Sequence, residues 1–315
     1  MDFSKLKRTS IYDRKSLVEA DKSPKPPSSP SSFNDFWEAL PGYLKVNDLR
    51  KLVDAILSAR DKKKPVLYMM GAHSIKVGLS NWIIEAMKRG FITAMAMNGA
   101  CIIHDFEMSL SGATSEDVAE SLMDGSFGMT RETGETLNTW IKEAAKNDRG
   151  LGNYVGEKID SSDFEYKDLS LLGNAYALGI PVTVHLALGT DVIHHHPEAS
   201  GEALGKTSMK DFHKICEVVS EIGDGGVVMN IGSNVVLPEV FLKALTVARN
   251  LEGSIHNFTT SNFDMIQHYR PNTNVVKRPI IGGGEGFTFT GHHEIMLPLL
   301  WMAVFEKEVN QKNIL

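Results

Sequence analysis

Cysteine is scarce in this chain, and most features that would fix its class at a glance are missing. The 315 residues include 2 cysteines. Cys101 and Cys216 lie in apolar surroundings without CxxC or metal-ligand spacing, which excludes a disulfide framework and predicts reduced, buried thiols. No apolar run reaches membrane-spanning length and no signal-peptide core opens the chain, so the expectation is a cytoplasmic protein without a membrane partner. A basic excess is also missing: 33 Lys+Arg stand against 39 Asp+Glu, a net charge of −6. That balance argues against a nucleic-acid partner. Neither GxGxxG nor HExxH occurs, so the two commonest short signatures of dinucleotide and zinc chemistry are absent. What is present, 42% hydrophobic and 23% charged residues, is the composition of a globular protein with length enough for a substantial core.

Residues 1–32 are polar and end in KSPKPPSSPSS, which reads as a flexible arm. From Phe33 to the end, strand and helix signals alternate without a repeat period or a second linker, which predicts a single α/β domain over 33–315. Leu49, Leu52, Val53, Ile56 and Leu57 recur on one helical face. Buried strands are expected at Pro65–Met70, Phe91–Met97, Pro181–Leu186, Gly226–Ile231 and Asn257–Asn262. Helices are expected from Thr114 to about Glu120, Thr130–Ala145, Leu171–Ala177, Met209–Ile222, Pro238–Arg249 and His292–Val304. Arg149–Tyr166 reads as a polar surface excursion, and Gly282–Gly284 as a loop before the closing helix. The alternation predicts a Rossmann-like parallel sheet with helices on both faces.

Four polar loops follow strands, where open α/β sheets bind ligands. They are Gly71-Ala72-His73-Ser74; Asn98-Gly99-Ala100, with His104, Asp105 and Glu107 beyond; Gly189-Thr190-Asp191, leading to His194, His195 and His196; and Asn230-Ile231-Gly232-Ser233-Asn234, running to Glu239. Tight β–α turns use glycine without any ligand, so each loop has a purely structural reading as well. His73, His104, His185, His194, His195, His196, His292 and His293 raise the question of a metal. Read as a strand, 194–196 lets only His194 and His196 share a side, and no established ligand spacing appears; no metal is assigned. Asp191 at a strand's C-terminal end is placed to clamp an amine or a ribose hydroxyl, or to cap a turn. Glu239 is a site candidate, and equally suits the positive end of its helix. Asp264, Gln267, His268, Tyr269 and Arg270 read as a ligand cover or a solvated loop.

The gapless run Gly71–Glu107, GAHSIKVGLSNWIIEAMKRGFITAMAMNGACIIHDFE, resembles deoxyhypusine synthase and its bacterial relatives, and the resemblance extends from about Phe33 to Pro279. His73 takes the place of that family's loop asparagine, and Met97–Cys101 stands for its NAD-holding Thr-Thr-Ala-Gly-Gly. Thr190–His196 is similar to its Gly-Asp-Met-Ile-Phe-Phe-His, which retains Asp191 and His196. The chain departs at Pro238 and Glu239, where the family carries histidines. It has no Trp-Gly-Lys-Ile, whose lysine forms the imine; Lys277 is nearby but out of register. These departures set it apart from a true synthase. Asn98–Glu107 is closer to the Gly-Asn-Ala-Leu-Ala-Val-His-Asp-Ile-Glu of archaeal and cyanobacterial arginine dihydrolase/ornithine cyclodeaminase proteins. The resemblance implies NAD as cofactor on Gly71, His73, Ser74, Asn98, Gly99, Ala100, Gly232, Ser233 and Asn234. It implies an amine, polyamine or amino-acid substrate, with hydride abstraction followed by aminoalkyl transfer or deamination. His104 would move a proton with Asp105 orienting it, Asp191 would hold an ammonium, and His196 and Glu239 complete the candidate set. A homotetramer is implied in the same way. A metal-assisted hydrolase or lyase using the His-rich crevice, and a non-catalytic ligand-binding protein, remain as alternatives.

Overall fold

The computed structural model describes residues 1–15, 24–29 and 31–312. Six strands, β1 (Val66–Met70), β2 (Ala94–Asn98), β3 (Val182–His185), β4 (Val227–Ile231), β5 (Phe258–Asp264) and β6 (Gly284–Thr290), form one sheet in the order β3-β2-β1-β4-β5-β6. Every neighbouring pair is parallel, with Tyr68 opposite Met95 on one side and Met229 on the other. The helices are α1 (Phe33–Glu38), α2 (Leu44–Asp61), α3 (His73–Lys76), α4 (Ser80–Lys88), α5 (Gly99–Ser111), α6 (Val118–Asp124), α7 (Arg131–Lys146), α8 (Leu151–Asp160), α9 (Leu171–Ala177), α10 (Gly201–Ser220), α11 (Val236–Glu252), α12 (Tyr269–Pro271) and α13 (His293–Lys312).

The central strands are apolar throughout because both faces are covered. Val66, Tyr68 and Met70 of β1 join the core beneath α2, α4, α5 and α13. Leu67 and Met69 point the other way, into a second core with α10 and α11. Alternation on β2 does the same: Met95 and Met97 on one face, Ala94 and Ala96 on the other. Burial of each valine, leucine or methionine among them contributes ~1.5–3 kcal/mol. The α/β doubly wound expectation therefore holds. The order also defines a switch point between β1 and β4, from which successive connections run to opposite edges.

Several local expectations are corrected. The segment after β2 is not a loop: α5 begins directly at Gly99, and no proline or second glycine interrupts it before Gly112, which ends it in the left-handed conformation with φ 70°. A helix advances about 100° per residue, so His104 and Glu107 share a face and Asp105 turns away. Residues 149–166 are not a surface excursion throughout: α8 turns one face inward, while Ser161, Asp163, Glu165 and Tyr166 stay exposed. In α8, Leu151, Val155 and Ile159 are fully buried. Gly152 and Gly156 lie so close to β3 and α9 that an added Cβ would stand 2.7 Å from the Val182 carbonyl carbon or 2.6 Å from the Leu172 oxygen. Those glycines, which read as loop formers, are small so that backbones can approach. β6 is an additional edge strand whose Phe287 and Phe289 alternate inward, a period-2 signal hidden behind three glycines. α10 starts at Gly201, capped by Ser200, and α6 starts after its own cap, Asp117. Residues 269–277 form a short helix running into a π-turn.

The expected N-terminal arm lies partly outside the described residues, at 16–23 and 30. Helix α1 follows with a Ser32–Asp35 capping box. No helix among the described residues is long and apolar enough to cross a membrane.

Candidate functional site

Beyond the C-terminal end of β2, α5 emerges without a side-chain cap, since Asn98 makes no bond to the helix's first amides. Its side-chain oxygen accepts from Cys101 Sγ instead. The Asp191 carboxylate lies against this helix start: a Cβ on Gly99 would stand 2.7 Å from Asp191 Cγ and closer still to its Oδ2. A carboxylate is favoured at the positive end of a 13-residue helix. Asp191 is itself the N-cap of the 3₁₀ turn Val192–His195. His194 Nδ1 accepts from the backbone N–H groups of Gly189 (3.1 Å) and Asp191 (3.3 Å). In the neutral ring the proton therefore sits on Nε2, which stands 3.8 Å from Asp191 Oδ2. That gap is too long for a hydrogen bond, and both buried atoms lack one. The two side chains are 8% and 7% exposed. Burial pushes the Asp191 carboxyl up to about 6.

Next to Asp191 opens a cavity of ≈ 700 Å³ between α5, the 113–118 segment, the start of α7 and the 190–192 turn. Ala100, Ile103, His104 and Glu107 form its α5 wall. Thr114 Oγ1 lies 2.6 Å from His104 Nδ1 and donates to Glu107 Oε2 at 2.5 Å. Thr133 donates to the other carboxylate oxygen at 2.9 Å. Burial, helped by the Lys76 charge, brings His104 down to about 4, so the ring is neutral at physiological pH. Glu107, Glu116, Glu132 and Asp191 face the cavity against Lys76. Such a surface prefers a cationic ligand.

Asp105 does not orient His104. Its carboxylate is wholly buried and accepts from Ser170 Oγ (2.5 Å), Leu171 N (2.7 Å) and Leu172 N (3.1 Å), capping α9. Desolvation still raises it to about 6. The partner expected of Asp105 is supplied by Thr114 and Glu107. Glu107 was visible in the sequence cluster, but Thr114, Thr133 and Lys76 arrive from other elements, and nothing in their local sequence marks them. His196 is packed on Gly134 and bonds Gly128 O through Nε2 at 2.8 Å. His195 stacks on it at 5.4 Å and reaches the same carbonyl. Residues 192–195 are a 3₁₀ turn, so the strand argument that separated these adjacent rings fails. Glu239 lies on α11, where Lys243, Arg270 and Asn274 engage it. It lies outside the lining of this cavity. Among the described residues no three His, Cys, Asp or Glu side chains converge as a metal would require.

The remaining expected cofactor residues gather at the β1/β4 switch point, but they fill it. A Cβ on Gly71 would stand 2.7 Å from Gly232 O, and one on Gly232 (φ 63°) would stand 2.5 Å from His293 Cε1. His293, 2% exposed, donates from Nε2 to Phe263 O at 3.1 Å and meets His73 edge-on at 5.4 Å. Ser74 is buried, Ser233 Oγ caps α11 by accepting from Leu237 N, and Asn234 is exposed. A dinucleotide entering here would have to displace the His293 imidazole from Gly232. The crevice holds the chain's own backbone and imidazole, and the open cavity beside it has the wrong charge for a pyrophosphate.

No known family profile and no curated protein matches the chain. Solved structures do match. A protein assigned to the LOR/SDH group from Methanococcus maripaludis S2 shares 13% identity over 90% of this chain and 74% of its own, with a TM-score of 0.52. AgrE, solved as a ternary complex with ornithine and NAD+, shares 12% identity over 82% of this chain, with a TM-score of 0.53. ArgZ, an arginine dihydrolase from the ornithine–ammonia cycle in cyanobacteria, shares 13% over 82% at a TM-score of 0.51. The chain spans 33% of AgrE and 31% of ArgZ. These likenesses establish the Rossmann-like fold that the strand order describes, and it is the fold alone that they carry.

Proposed function

We propose that this chain is an enzyme acting on an amine or amino acid bound in the cavity between α5, α7 and the 190–192 turn. The carrying observation is the buried, unpartnered Oδ2 of Asp191 at the edge of an acid-lined cavity that also presents neutral His104. An ammonium supplies both the charge and the hydrogen-bond donor that Asp191 Oδ2 lacks. His104 then serves as the proton acceptor, close to the group that must lose a proton before an amine nitrogen or its neighbouring carbon can react. AgrE, of the same fold, is solved with ornithine, which supports an amino acid as substrate class.

The test is calorimetric titration of the full chain with ornithine and with a simple diamine. Saturable binding is expected, weakened about 10- to 100-fold in Asp191→Asn, because one charge-assisted hydrogen bond contributes ~1.5–3 kcal/mol. Glu239→Gln should bind as wild type. Absence of binding to both probes, or binding indifferent to Asp191→Asn, refutes the proposal.

A second reading, NAD-dependent chemistry on the same substrate, is favoured by the buried polar atoms left unpaired at the switch point, His293 Nδ1 and Asn230 Oδ1, and by the NAD+ bound in AgrE. It requires His293 to leave Gly232 before a dinucleotide can enter. NAD+ binding that strengthens in His293→Ala would support it, and no binding to either form would exclude it.

A further inference from the structure

Hydrogen-bond direction at His104 can be followed atom by atom. Glu107 accepts from two hydroxyls, Thr133 at Oε1 and Thr114 at Oε2. A threonine hydroxyl has a single hydrogen. Once Thr114 gives its hydrogen to Glu107, its oxygen can only accept from His104 Nδ1, 2.6 Å away. Nδ1 therefore carries the ring proton, and Nε2 keeps its lone pair, with no hydrogen-bond partner among the described residues. A direct hydrogen bond between His104 and Glu107 is excluded, because His104 Nδ1 and Glu107 Oε2 stand 3.9 Å apart. Thr114 fills that gap because the left-handed Gly112 turns the chain back across the face of α5 that carries both residues. Helical spacing places 104 and 107 on that face in the first place.

We propose that Glu107, acting through Thr114, is a positioning residue that fixes His104 as the Nδ1–H tautomer and so makes Nε2 the proton-accepting atom of the cavity. The inference rests on the reading of the cavity as a reactive site, but its structural content does not depend on the ligand. It replaces the expected His104–Asp105 pair by an oriented Glu–Thr–His chain, the carboxylate-to-imidazole logic of acid–base sites with a hydroxyl interposed. The low proton affinity that burial gives His104 is consistent with this role, since the ring then enters the cavity neutral. A purely structural role, tethering the 113–118 segment to α5, requires only that the segment stay in place and is indifferent to which ring nitrogen holds the proton.

The experiment is a long-range ¹H–¹⁵N correlation spectrum of the labelled full chain at neutral pH, with the His104 signals identified by their loss in His104→Gln. Wild type is expected to show the Nδ1–H pattern. Thr114→Val removes the acceptor and Glu107→Ala frees the Thr114 hydrogen to point at the ring. Both should lose that pattern in favour of Nε2–H, while Thr114→Ser retains it. A wild-type Nε2–H pattern overturns the proposal whatever the variants do, as does a Thr114→Val spectrum unchanged at His104. The amine titration is read separately: lost binding with an intact Nδ1–H pattern removes the ligand reading and leaves the tautomer standing, and the converse result does the reverse.

Discussion

Gly99→Ala asks what the most conspicuous loop glycine is for. If Gly99 exists to let a cofactor approach, an alanine there should cost the apo protein little, and helix propensity would favour it by about 0.4–1 kcal/mol. The structure says otherwise. A Cβ at 99 would stand 2.7 Å from Asp191 Cγ and 2.9 Å from Leu186 Cδ2. The Leu186 methyl can rotate aside. Asp191 cannot do so easily, because its short side chain is 7% exposed and its backbone starts the 192–195 turn. Overpacking of this kind costs ~1–3 kcal/mol, so the net loss should be about 1–2 kcal/mol, or a fall of roughly 1.5–3 °C in melting temperature for a chain of this size. In an Asp191→Ala background the obstruction is gone and Gly99→Ala should be neutral or stabilising. Urea titrations of the four proteins give a coupling energy of ~1–3 kcal/mol if the reasoning is right. Equal effects of Gly99→Ala in both backgrounds would refute it.

Other outcomes follow from the buried carboxylates and from α8. Asp105→Ala should destabilise the protein by about 3 kcal/mol, since two amides and one hydroxyl at the α9 start lose their acceptor; a change under about 1 kcal/mol in the urea midpoint analysis would contradict the capping role. Asp211, 2% exposed and bonded by Gly152 N and Val184 N, is raised by burial from 3.8 to about 7. A raised carboxyl means the folded state holds its proton more tightly than the unfolded chain. Its stability contribution is therefore full below about pH 4 and is lost as pH rises to about 7. Stability of wild type relative to Asp211→Asn should fall across that window, and a rise would show the sign to be wrong. Gly152→Ala should cost at least ~2 kcal/mol, because the obstruction is the β3 backbone rather than a movable side chain. Circular-dichroism melting checks this, and an unchanged midpoint would argue against tight α8–β3 packing.

The fold was legible in the sequence wherever hydrophobic periodicity is strong. Short apolar runs at Val66–Met70, Ala94–Met97 and Val227–Ile231 have the length of strands covered on both faces, and their alternation with amphipathic helices points to a parallel sheet. Glycine was the main source of error. Gly99, Gly152 and Gly156 look alike as letters, yet one yields space to a carboxylate and two let a helix lie against β3 and α9. Nothing local distinguishes a glycine that turns the chain from one that admits a neighbour 16 or more residues away. The histidines posed the same difficulty: 194–196 could not be placed on sides until the backbone was known to turn rather than extend.

The chain alone therefore determined the architecture, the acid–base content of α5 and the candidacy of Asp191. Partnership was decided only by the tertiary structure. His104 was expected to pair with its neighbour Asp105, but the helix turns that carboxylate inward to cap α9, and a threonine beyond a left-handed glycine takes its place. The glycines assigned to a dinucleotide were likewise claimed by Gly232, His293 and Asp191. The physical reason is common to both. Sequence specifies which groups are available and on which local face, while hydrogen bonds and close contacts depend on elements brought together from distant parts of the chain.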